Sequence, residues 1–252
     1  MRMLNILISL LLTTQVFAAV SLPSGISKVG VNTDIDISSV PETLWSFSGV
    51  MVYPLSALAT TIESSSASDA AAGIGARTVT VEGLGAGYVE QSETVTMNGA
   101  SQVTLANTYL RINKAYVATV GSNKVNVGDI YFRQTTAGHI FNIPAGYNND
   151  QCAFFTTPAG KPMLLTRAFF MPVNQSTATT VGVRLKYSTN VDPMKVIVYM
   201  GASSLGSGGY EFRPVTPIAI PPKTDVQLDV ISNGTDNSII SGGFELVPAR
   251  KP

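Results

Sequence analysis

Apolar and polar residues alternate in short bursts along most of this chain. Residues 77–82 read Arg-Thr-Val-Thr-Val-Glu, which sets Val79 and Val81 on one face of an extended segment. A period of two marks a strand with one buried face. The device returns over 93–97 and 102–105, and strand character without strict alternation appears over 129–133, 163–171, 195–200 and 244–247. It is cleanest over 180–188, where Val181, Val183, Leu185 and Tyr187 point one way and Gly182, Arg184 and Lys186 the other. Over 225–230, Val226, Leu228 and Val230 alternate with Asp225, Gln227 and Asp229, which predicts both aspartates on an outward, solvated face. A shorter strand is expected where Ile35, Ile37 and Val40 mix with Asp34, Asp36 and Ser38.

Turn residues punctuate these segments. Asn98-Gly99 tolerates positive φ at both centres of a tight turn and predicts a hairpin between 93–97 and 102–105. Residues 109–120 read as one long strand, with a bulge near Lys114 to keep a face continuous. The small-residue run 64–75, whose one charge is Asp69, reads as a flexible loop. No stretch shows a convincing helical period. Many short strands joined by Gly and Pro turns predict a mainly β chain. At 252 residues it has room for two domains. We expect two β-sandwich or jelly-roll-like domains after an N-terminal hydrophobic segment: 27–134, and 139–252 beyond the turn-prone Thr135-Thr136-Ala137-Gly138.

The hydrophobic segment is residues 1–18. Arg2 precedes an apolar run over 4–12, and Val16-Phe17-Ala18 offers small residues at a cleavage spacing. That layout is a secretory signal peptide, or an N-terminal anchor if uncleaved, and it is the one expected membrane contact.

Charge and rare residues narrow the chemistry. Charged residues are 13% of the chain, sixteen basic against sixteen acidic, far from the concentrated positive surface that nucleic acid requires. His139 is the only histidine, so a catalytic triad would have to pass through it; a structural place at a strand start explains it as well. Cys152 is the only cysteine, which excludes an internal disulfide and favours a buried small hydrophobe. One Cys and one His do not make a zinc set. Asp34 with Asp36, or Asp225 with Asp229, could hold calcium with loop carbonyls, but alternation already explains both pairs. Glu82 and Glu93 would need a facing geometry to act as a glycosidase pair. The glycine runs at 83–87 and 206–209 lack the lysine or helix start of a phosphate cradle. Asn174 and Asn233 begin glycan-acceptor patterns. Trp45 is expected to seal the edge of the first core, with a carbohydrate platform as the alternative. We assign no catalytic, metal or cofactor-binding residue and expect no cofactor.

The order of several motifs carries a resemblance. Residues 76–84 (ARTVTVEGL), 93–99 (ETVTMNG) and 109–117 (YLRINKAYV) are followed by 143–146 (IPAG), 158–161 (PAGK), 183–185 (VRL), 222–226 (PKTDV) and 241–247 (SGGFELV). Over roughly residues 45–250 this series resembles structural virion proteins of tailed, mostly aquatic bacteriophages. The resemblance implies a non-enzymatic virion component, in capsid decoration or in neck or tail attachment. Bare, lysine-poor edges predict self-association as a closed cyclic oligomer, with packing against other virion proteins, and the resemblance implies a trimer rather than a dimer. The N-terminal segment supports an alternative, an exported adhesion module of the bacterial surface or periplasm that binds a host-surface glycan or protein. A secreted β-sandwich hydrolase is a second alternative. As interface residues we single out Tyr210 and Phe212. They flank Glu211 on one expected strand face, in a region from 196 to 210 that contains no lysine. Tyr199 is expected inside the sandwich.

Overall fold

A computed structural model describes residues 25–35, 40–174, 180–189, 194–203, 209–233 and 238–249. The expected signal peptide or anchor at 1–18 lies outside the described residues, as do Asp36, Gln175, Ser176 and residues 206–208. The described residues form seventeen strands and one 3-10 turn at Ala86–Tyr88. In chain order the strands are β1 (Ile26–Ile35), β2 (Glu42–Thr43), β3 (Leu58–Ser64), β4 (Ala76–Leu84), β5 (Glu90–Thr96), β6 (Val103–Tyr109), β7 (Arg111–Val120), β8 (Ile130–Gln134) and β9 (Gly138–Ile143). There follow β10 (Phe154–Thr156), β11 (Met163–Asn174), β12 (Thr180–Thr189), β13 (Lys195–Ser203), β14 (Tyr210–Phe212), β15 (Ile218–Ile220), β16 (Thr224–Asn233) and β17 (Ser238–Pro248).

They pair into four antiparallel sheets, consistent with jelly-roll-like sandwich architecture. One pair of sheets, β6-β3-β8-β9 and β5-β4-β7, encloses a core that includes Trp45, Ile62, Val79, Val81, Phe132 and Phe141. The other pair is β1-β17-β11-β14, with β15 also on β11, and β10-β16-β12-β13, with β2 also on β16. Its core takes Leu165, Phe170, Phe244 and Leu246 from one layer and Val181, Val183, Leu185 and Leu228 from the other. The apolar positions of the period-two pattern are the ones that fill these cores.

Long-range pairing departs from the sequence reading in several places. The second sandwich begins with β1, whose Ile26 pairs with Leu246 and whose Asn32 pairs with Ile240 of β17. Strands β8 and β9 form a ladder, with Phe132 opposite Phe141. Both ladders cross the expected division between 27–134 and 139–252. Asn98-Gly99 does turn the chain, with Gly99 at φ +61, but the expected hairpin does not form. Strand β5 pairs with β4 and β6 with β3, in different sheets. Glu93 replaces the ladder by accepting hydrogen bonds from the amides of Ala106 and Asn107, at 2.8 and 2.9 Å. The long strand over 109–120 changes sheets at Leu110, between β6 and β7. One of its irregularities falls at Asn113, beside the expected position near Lys114, unmatched between the Glu82–Lys114 and Gly83–Ile112 pairs; others lie toward Val120, at the Ala76–Val79 end of β4.

The 64–75 run is anchored rather than free. Asp69 is fully buried and accepts from the Ser64 hydroxyl and from the amides of Ala76, Val127 and Gly128, at 2.6 to 2.9 Å. A buried carboxylate persists only when so satisfied.

Candidate functional site

The two sandwiches meet along a buried polar seam. Alternation puts Asp225, Gln227 and Asp229 on one face of β16, and here the expectation of a solvated face fails: Asp225 is 3% and Asp229 2% exposed. The first sandwich covers that face. Arg111, at the start of β7, lays its guanidinium on Asp225, Nε to Oδ1 at 2.8 Å and Nη2 to Oδ2 at 2.9 Å. Its Nη1 donates to the Pro54 and Leu110 carbonyls, and the Tyr53 ring lies 4.7 Å from the guanidinium carbon. Thr156 adds a hydroxyl bond to Asp225 at 2.5 Å. The bulge at Asn113 aims its carboxamide at the Thr156 backbone, donating to the carbonyl at 2.8 Å and accepting from the amide at 2.9 Å. Asp229 binds Lys186 and Gln227. Burial raises its pKa, against the pull of Lys186. Neither aspartate is open to calcium, and no cluster of three metal-ligating side chains occurs among the described residues.

A groove of about 1010 Å³ opens beside this seam, between the edge of β1 and strands β4, β5 and β7. Ser27, Val29, Glu82, Gln91 and Asn149 line it, with the Lys28–Asp150 pair at its floor. That pair is 2.6 Å long and over nine-tenths buried on both sides, and Lys28 also donates to the Asn113 carbonyl at 2.9 Å. Glu82 faces Lys114 at 3.7 Å. Glu93 lies on the opposite face of the sheet, since its register partner is Val81 while that of Glu82 is Ser92. The two glutamates therefore cannot flank a glycosidic bond together.

The rare side chains serve packing. His139, at the start of β9, lies between the Phe47 ring at 4.1 Å and the Tyr131 ring at 5.1 Å. Burial, reinforced by Arg133, holds its pKa below the ordinary imidazole value, against the pull of Glu63. Cys152 is completely buried, pairs with Trp45 through an isolated bridge and sits 3.9 Å from the Asn142 carboxamide oxygen. Burial pushes its thiol well above the range in which thiolate forms at neutral pH. Trp45 is 2% exposed, which closes its use as a sugar platform.

Tyr210 and Phe212 lie on β14, the edge strand next to β11. Tyr210 pairs with Phe170 and stacks on its ring at 4.9 Å; Phe212 pairs with Ala168. Both are half-buried, and the intervening Glu211 points outward to Arg167 and Arg213. Tyr199 corrects the expectation of an interior place: it is 61% exposed and lies across Gly182 on the outer face of β12. Lys28, Arg111, Asn113 and Asp150 were not legible as a set. The one signal was a charged residue between two apolar ones, at Leu110-Arg111-Ile112.

No family model and no curated protein matches this chain. Among solved structures it is similar to the T13 viral particle of infectious bursal disease virus, at 9% identity and a TM-score of 0.24, over 89% of this chain and 68% of that one. It is also similar to the VP2 subviral particle of the same virus, at 11% identity and a TM-score of 0.24, over 91% of this chain and 72% of that one. The likeness is distant and partial.

Proposed function

We propose that the protein is a non-enzymatic virion structural component, placed in capsid decoration or in neck or tail attachment, where it contacts copies of itself and other virion proteins. One observation carries the reading. The Arg111–Asp225 and Lys28–Asp150 pairs weld two β-sandwiches into a single block, while His139 and Cys152 are both spent on packing. Such a block transmits load and presents surfaces; it assembles no reaction centre from these residues. The ordered motif series shared with tailed-phage structural proteins supports the same reading and the localisation to a virion.

An exported adhesion module is the second reading, favoured by the partly exposed rings of Phe47, Tyr131 and His139, which cluster edge-on and tilted at the surface where a sugar could contact them. Mass spectrometry of purified particles separates the two. Abundant peptides from residues 77–250 in particles support the virion role. Their absence from particles, with presence in culture supernatant, supports the adhesion module instead.

A further inference from the structure

The second sandwich has an edge strand of each layer on the same side. Strands β13 and β14 are the edges of its two layers and run close to each other there. Among the described residues, no strand pairs with the outer side of either. Their core-facing residues are incompletely covered. On β12, Val181, Val183 and Leu185 are fully buried, yet Ile197, Val198 and Met200 of β13, packed on the same core, remain half-buried, as does Tyr210 of β14. Val196, opposite Lys186 on the outer face, is 49% exposed. The nine residues of β13 carry a single charge, at Lys195. A long, charge-poor edge is a template for another strand, because its outward amides and carbonyls call for an extended partner.

Charge on β14 selects that partner. Glu211 and Arg213 follow each other along the outer face, with Phe212 between them turned inward. In an antiparallel pairing of β14 with its own copy, centred on Phe212, each Glu211 lies opposite the other chain's Arg213. This pairing is its own complement, as a two-fold contact requires.

We infer that the β13–β14 side is a two-fold contact between copies of this chain, with both layers continuing across the axis. The axis is normal to the sheets, so β13 meets its copy as β14 does, and Ile197, Val198, Met200 and Tyr210 are closed off together. This deepens the assembly reading by naming the self-association surface, and it makes a dimer where the resemblance implied a trimer.

Two charge-reversed chains test it by light scattering coupled to size exclusion, using the full chain as purified. Wild type is expected at twice the chain mass. Glu211→Arg alone sets like charges opposite each other across the axis, and so does Arg213→Glu alone; each is expected at the monomer mass. Mixed in equal amounts, the two variants restore both attractive pairs and return to the dimer mass, which also shows that both are folded. Hydrogen exchange of wild type provides a readout free of substitutions: amides in 197–200 and 210–212 gain protection as concentration rises through the micromolar range. A wild-type monomer or trimer, single variants that stay dimeric, a mixture that stays monomeric, or concentration-independent exchange would each overturn the contact. None of these results bears on whether the protein is found in particles, which the mass spectrometry decides separately.

Discussion

Arg111 and Asp225, separated by 114 residues in sequence, form a two-point fork in which both side chains are at least 96% buried. It joins the first strand after the sheet switch to the central strand of the second sandwich's inner layer. Removing one partner strands a buried charge, which costs about 3–5 kcal/mol. We expect Arg111→Met and Asp225→Asn each to lower the unfolding free energy obtained from urea titration by an amount of that order. Arg111→Met combined with Asp225→Leu should recover part of the loss, because no unpaired charge is left. A double variant no better than the sum of the singles would show that the pair is not coupled.

Residues 152–155 feed both cores alternately. Cys152 and Phe154 belong to the first, Ala153 and Phe155 to the second. Two sandwiches sharing one strand should not melt independently. The full chain is expected to unfold in a single transition, with Trp45 fluorescence, a probe of the first core, coinciding with far-ultraviolet circular dichroism. Two separated transitions would show independent units.

Gly30 and Gly182 both sit against neighbours that a methyl group would strike, with different expected costs. At Gly30 the obstacles are backbone atoms, the Leu44 carbonyl oxygen and the Ala153 amide nitrogen. At Gly182 the obstacle is the Tyr199 ring, which is largely exposed and free to swing away. Gly30→Ala should therefore cost about 3 kcal/mol or more, and Gly182→Ala under about 1 kcal/mol. Denaturant titration of both variants measures the contrast, and equal losses would count against this packing.

His139 binds a proton less readily in the fold than in the unfolded chain. Between the ordinary imidazole pKa and the lower folded one, the unfolded chain holds more protons, so this contribution to stability falls as pH falls through that window and levels off below it. Replacing the ring by His139→Phe keeps the contact with Phe47 and Tyr131 and removes the titration. The melting temperature of the variant should fall less than that of wild type on going from about pH 7 to about pH 5. Parallel curves would remove His139 as the cause. The variant should keep the self-association of wild type.

The period-two pattern by itself placed most strands and told which side chains share a face. Val181, Val183 and Leu185 of β12 point into the core as alternation requires, and Val226, Leu228 and Val230 of β16 do the same. Glycine and proline marked where strands stop, because they act through local backbone geometry. What covers the other face of a strand is not local. Asp225 and Asp229 look like a solvated face in sequence and are buried only because the first sandwich brings Arg111, while Lys186 approaches along the neighbouring strand. Asp69 likewise looks like the lone charge of a mobile loop until the amides of Val127 and Gly128 arrive from distant sequence. Strands β5 and β6 flank a strong hairpin turn and still join different sheets, since pairing is decided by which apolar faces can be buried together. The sequence determined the faces of the strands; the tertiary structure decided their neighbours, because a hydrogen-bond ladder and an ion pair are completed by residues that one-dimensional spacing does not bring together.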